Sequence, residues 1–175
     1  MSGAAKTDHR RFVLGYRWLS GQIARATHRV TATYQVHPRL SVGIEYQPET
    51  SQVGPLANLL VVEEGDRFPA VMVGTSSDRI GTPSGQLFYA TASKDVEAWI
   101  GLPVAPYLGI SYGTYAEKVR PVAGLDVRLP YDFGALLIFD GVHVHPTVNW
   151  TWKNVVLTLI LVEGTDPGFA TSFAW

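Results

Sequence analysis

His143 and His145 are the residues of this chain most suited to chemistry. They stand two apart, so on an extended strand both imidazoles project from one face. Such a pair can give a metal ion two nitrogen ligands. Two imidazoles alone define no coordination geometry, and a complete site would need a third ligand such as Asp140. Nothing adjacent in sequence completes one, so no metal and no cofactor are expected. The same histidines could instead activate a serine nucleophile. Ser41, Ser93, Ser111 and Ser172 share the polar parity of their segments, but none is marked as a partner, so no catalytic residue is assigned. Asp78-Arg79 reads as a local ion pair. Gly81 to Gly85 is not a phosphate loop, because it lacks Gly-Lys-Ser/Thr and a following helix. Arg17, Glu45, Asp126, Arg128 and Asn149 also lie on polar faces. Together with the two histidines they could line a water-filled path and bias the passage of ions, or neutralise one another within it.

The segments that carry these residues alternate. From Val142 to Trp152 the apolar members are Val142, Val144, Pro146, Val148, Trp150 and Trp152, and the polar members lie between them. A period of two means a strand with one apolar and one polar face. The pattern recurs at 12–18, 30–36, 40–46, 59–64, 69–75, 87–94, 104–112, 123–129, 135–139, 155–161 and 169–175. That predicts about twelve strands. Between them lie turn signals: Pro38-Arg39, Gly65-Asp66, Pro130 to Asp132, Asp140-Gly141 and Lys153-Asn154. Pro48 to Pro55 and Ser76 to Gly85 read as longer loops. Lys94 to Leu102 reads as a connection with one helical turn.

Composition narrows the class. Fourteen basic and fifteen acidic residues give a net charge of −1, which excludes the basic excess of a nucleic-acid binder. Cysteine is absent, so neither disulfides nor thiol chemistry is available. No run approaches the length of a membrane-crossing helix. Met1 to Arg11 has no apolar core, so no signal peptide is expected in that stretch, and residues 1–10 read as a flexible segment before a single domain at 11–175.

Three features point outward, toward lipid. Tyr16, Trp18, Tyr46, Tyr112, Trp150, Trp152 and Trp175 fall on apolar faces near strand ends, where rings form girdles at membrane–water interfaces. The polar faces mix glycine, threonine and both charge signs, which suits a crowded, hydrated interior. The last segment alternates Phe169, Thr171, Phe173 and terminal Trp175. In that ending, and in strand rhythm from Phe12 onward, the chain resembles bacterial outer-membrane β-barrel proteins of the porin kind. Pro69 to Gly74, Gly81-Thr82 and Tyr89 to Lys94 also resemble strand pairs of the outer-membrane barrels associated with exopolysaccharide production.

The resemblance implies an all-β, antiparallel, up-and-down transmembrane barrel, monomeric by default and lodged in the outer membrane. Its partners would be the lipid bilayer and the barrel-assembly machinery, which reads the last strand. An even strand count would put both termini in the periplasm. Small polar solutes or a saccharide could pass through the lumen. The expected role is a porin-like passive channel or a structural membrane protein without catalysis. Two other readings fit the alternation. One is a soluble barrel or sandwich holding a small apolar ligand, with the apolar faces turned inward. The other is an outer-membrane lipid acyl-hydrolase, in which a Ser/His pair would sit on the outer wall.

Overall fold

The computed structural model describes residues 11–175. The segment expected at residues 1–10 lies outside the described residues. Twelve strands form one closed antiparallel barrel, each paired with its neighbours in sequence. They are β1 (Phe12–Leu19), β2 (His28–His37), β3 (Leu40–Gln47), β4 (Gln52–Val62), β5 (Ala70–Ser77), β6 (Gln86–Ser93), β7 (Val104–Gly113), β8 (Lys118–Arg128), β9 (Phe133–Phe139), β10 (Val144–Trp152), β11 (Val155–Val162) and β12 (Asp166–Ala174). Two single helical turns, α1 (Ala24–Thr27) and α2 (Glu97–Ile100), lie in connections. The first strand pairs with the last, and Phe12 and Trp175 exchange N–H···O bonds across that seam. Closure leaves no unpaired sheet edge.

The two ends of the barrel differ. Both chain termini lie at one of them, here the terminal end, together with the connections 38–39, 63–69, 94–103, 129–132 and 153–154. The other, the loop end, carries 20–27, 48–51, 78–85, 114–117, 140–143 and 163–165.

The apolar faces point away from the barrel. Leu157, Leu159, Leu161, Trp150 and Trp152 are all exposed, Leu159 by 67% and Trp152 by 57%. Buried apolar residues among those described are only Leu19, Ala26, Leu56, Ala70 and Val162. This overturns the soluble reading, which needs those leucines and tryptophans in a core. A contiguous apolar surface of this extent is not stable in water and belongs against lipid. The outward rings form two belts. Tyr16, Trp18, Tyr46 and Tyr112 face out near the loop end, and Trp150, Trp152 and Trp175 near the terminal end.

Some boundaries differ from expectation. Pro48 to Pro55 is not a long loop. A 3-10 turn at Pro48–Thr50 and Ser51 in the left-handed region (φ 53°) reverse the chain, and β4 starts at Gln52. Pro55 stands opposite Ile44 of β3, beyond the last residue of β4 that pairs with β5. Its missing N–H therefore costs no ladder bond on the β5 side. Pro121 likewise lies inside β8, opposite Ile110, before pairing with β9 begins at Ala123. β10 starts at Val144, so His143 belongs to the preceding turn.

Candidate functional site in the barrel lumen

The inward faces are built from small residues and charges. Register carries Gly15, Thr31, Gly43, Asn58, Gly74, Thr91, Gly109, Gly124 and Thr147 around the inside, and large side chains lie across the glycines. The Tyr89 ring covers Gly74 and the Tyr107 ring covers Gly124. A Cβ at either glycine would come within 2.6 Å of ring atoms. Tyr89 also donates its hydroxyl to Asn58.

A cavity of about 440 Å³ remains inside, with Tyr89 and Tyr107 in its lining. Its most charged wall comes from β1 and β2, where Arg17 and Arg29 sit directly opposite each other. Glu45 of β3 is buried, and its Oε2 accepts from Arg29 Nε at 2.6 Å. Its Oε1 accepts from Gln47 Nε2 at 3.4 Å. Arg29, Glu45 and Arg25 are the charged neighbours of Arg17, whose Nε is buried without a hydrogen-bond partner. One carboxylate thus faces two arginines, and it is spent on one of them.

The loop side of the cavity is tied down by Arg25 of α1. Its Nε donates to Thr82 O at 2.5 Å, and its Nη2 reaches Asp78 O at 3.0 Å, Arg79 O at 2.9 Å and Thr82 Oγ1 at 2.6 Å. Arg25 is 4% exposed, and these acceptors replace the water of its guanidinium. Burial pulls its pKa below the ordinary arginine value, against the opposing pull of Asp78 and Glu45. The Asp78 carboxylate is itself occupied, accepting from the backbone N–H groups of Arg79 (2.8 Å) and Tyr115 (3.1 Å). Three loops are therefore joined over one side of the lumen.

The two histidines part company. His145 is buried in the cavity wall, with Nε2 at 3.1 Å from Asp140 Oδ2. Its Nδ1 accepts from the Glu163 N–H at 3.2 Å. Accepting there leaves the ring proton on Nε2, which donates to Asp140. His143 turns to the rim, where Nδ1 lies 2.9 Å from Glu163 Oε1 without hydrogen-bond geometry. The partners of both rings are carboxylates and backbone, not serine. Among the described residues no group of three His, Cys, Asp or Glu side chains could hold a metal.

The other lumen candidates scatter. Asn149 lies against Gly134. Asp126 stands opposite Leu136 on the inward face, toward the terminal end. Arg128 leaves the lumen for the terminal rim, where Nη2 meets Asp95 at 2.8 Å and Glu97 at 2.6 Å. Arg29 went unnoticed in sequence, although its parity with Thr31 and Thr33 marks the inward face. Arg25 had no signal at all. It lies in a connection, and its partners are 53 to 57 residues away.

Asp140 organises the turn before β10, with Gly141 in the left-handed region (φ 93°). Its Oδ1 accepts from the N–H groups of Val142 (2.9 Å) and His143 (2.8 Å). Burial pushes the carboxyl pKa up, but the hydrogen bonds from His145, His143 and Val142 outweigh it and hold it below the ordinary value. A depressed carboxylate pKa stabilises the fold at pH above the ordinary carboxylate range. That contribution is lost as pH falls through the depressed value. Asp140→Ala should cost about 2 kcal/mol near neutral pH, since charge-assisted hydrogen bonds are lost. The cost should shrink in acid below the native pKa, where the carboxyl still accepts from Val142 and His143 but has lost its charge. Urea unfolding of the folded barrel across a pH series reads both, and an equal cost at every pH would refute the account.

No protein-family model matches the chain, and no curated protein sequence matches it. Among solved structures, one described as KdgM porin superposes with a TM-score of 0.60 at 12% sequence identity, covering 94% of this chain and 98% of that one. The likeness spans the whole barrel. At that identity it concerns architecture alone: the fold is a closed, antiparallel, twelve-stranded β-barrel shared with that structure.

Proposed function

We propose that the chain is a porin-like passive channel of the bacterial outer membrane, without catalysis. The carrying observation is an apolar outer wall with a ring belt at each end, enclosing a lumen lined by Arg17, Arg25 and Arg29. In this reading the terminal end faces the periplasm and the loop end faces outward. The long 94–103 connection then lies on the periplasmic side, and the outward turn at 140–143 is short. The bilayer covers the outer wall. The barrel-assembly machinery reads β12, whose Phe169, Thr171 and Phe173 share the lipid-facing side. Small polar solutes or a saccharide pass within.

The arginine excess gives the lumen a preference for anions. Glu45 occupies Arg29 and takes a further hydrogen bond from Gln47, whereas Arg17 keeps an unpartnered Nε. The full-length chain, folded into planar bilayers under a salt gradient, should show stepwise conductance and a reversal potential displaced toward chloride. Arg17→Gln should move that potential toward zero. A barrel that migrates as folded on unheated gels yet passes no current would leave only a structural role.

A further inference from the structure

The ring belt at the terminal end is incomplete on the strands themselves. Phe12, Tyr34, Phe133, Trp152, Phe173 and Trp175 supply it along β1, β2, β9, β10, β12 and the chain end. On β4 to β7 the outward residues at that height are Val62, Val71, Ala92 and Pro106, none aromatic. The missing rings stand in the connections just beyond these strands. Phe68 precedes β5 and is 70% exposed, and Trp99 in α2 is 64% exposed, with Ile100 and Leu102 exposed beside it.

The geometry points to a membrane contact outside the barrel wall. We propose that the 94–103 connection, with Phe68, rests in the headgroup zone of zwitterionic phospholipid and completes the belt over β4 to β7. The inference rests on the membrane reading above. The β6–β7 ladder continues past the strands, with Lys94 N–H donating to Pro106 O and Val96 N–H to Val104 O. Lys94 therefore shares the outward face of Pro106. Its Nζ lies 5.5 Å from the Trp99 ring centroid and 3.2 Å from Glu64 Oε1. Across the barrel Lys153 Nζ lies 5.1 Å from the Trp152 ring, so the same lysine–tryptophan unit occurs where the belt is already formed. Lys94 Nζ also donates to the Gly65 carbonyl, so with Glu64 it fixes the ammonium against the Trp99 ring, and an amphipathic ring held at the acyl boundary is the arrangement favoured at membrane interfaces. Glu64, Asp66, Asp95 and Glu97 line one recess with Trp99, and among the described residues Lys94 and Arg128 are the cations that pair with them. That acidic excess selects zwitterionic over anionic headgroups.

The test uses full-length chains with one tryptophan each, the other four being phenylalanine, folded into phosphatidylcholine vesicles. One variant keeps Trp99 and the other keeps Trp152. Phosphatidylcholine brominated near the headgroup should remove a comparable fraction of emission from both, and aqueous iodide little from either. Loss of Trp99 emission to iodide but not to bromolipid, with Trp152 quenched by bromolipid, overturns this inference and leaves the membrane reading intact. Failure of bromolipid to quench either tryptophan in a folded barrel overturns both. If the single-tryptophan chains do not fold, Trp99→Phe in the otherwise native chain decides. A fall in lipid-quenchable emission supports the contact, and no change refutes it.

Discussion

Glu45→Ala will cost the barrel about 3 kcal/mol, the range for removing one partner of a buried ion pair. It will also turn the lumen further toward anions. Glu45 is 1% exposed and is the carboxylate that Arg29 holds. Without it, Arg29 and Arg17 face each other across β1 and β2 with no counter-charge between them. Repulsion and an unsatisfied guanidinium act in the same direction. Glu45→Gln separates the two effects. The amide keeps the shape and one acceptor, so it should lose less stability while shifting the reversal potential as far as alanine does. Urea unfolding in vesicles and bilayer recordings on both variants read the outcome. A stability loss without a shift in potential would mean that Glu45 is a structural brace away from the ion path.

Gly109→Val should yield no folded barrel. A Cβ at Gly109 would stand 2.0 Å from the Ala90 carbonyl oxygen and 2.8 Å from Thr91 Cα, both backbone atoms of β6. No rotamer change relieves a clash with a neighbouring strand. The strands would have to separate, at a cost above the ~3 kcal/mol typical of overpacking. Gly15→Ala is the control. Its Cβ would meet Thr31 Oγ1 at 2.6 Å, a side-chain atom that can rotate away, so the loss should stay below about 1 kcal/mol. Gel migration before and after heating distinguishes folded from unfolded chain for both. Equal behaviour of the two variants would show that inward volume, not backbone proximity, limits this wall.

The outer face was legible because lipid imposes one requirement on every alternate residue. Val148, Trp150 and Trp152 announce their side whatever the neighbouring strand holds. The inner face obeys no such rule. It tolerates glycine, threonine, arginine or tyrosine, provided that each meets its complement across the lumen. Tyr107 over Gly124 is a fit between residues on adjacent strands, and neither residue alone signals it. His143 and His145 looked equivalent because alternation puts them on one face. Asp140 overrides this by drawing the N–H groups of Val142 and His143 into a turn, which leaves only His145 on the strand. The early start of β4 was hidden because Pro55 ordinarily marks a loop, and its place beyond the pairing with β5 is known only once the neighbours are known.

The seam between β1 and β12 bears on how the chain reaches this state. Every other strand pair joins sequence neighbours through a connection of at most ten residues, so it can zip locally. The seam brings Val13 to Ala174 and Trp175 to Phe12 across nearly the entire chain. Its loop-closure entropy is the largest in the molecule, and it is repaid only after the eleven other strand pairs are in register. Closure is then the last and slowest step of assembly. Until it happens, β1 and β12 are open edges able to capture another chain's strand. Because the two ends meet, a short peptide linking residue 175 to residue 12 would turn this closure into a hairpin. New termini cut at Lys153-Asn154 would move the slow step to β10 and β11. The rate of closure, rather than the stability of the finished barrel, is what such a permuted chain would change.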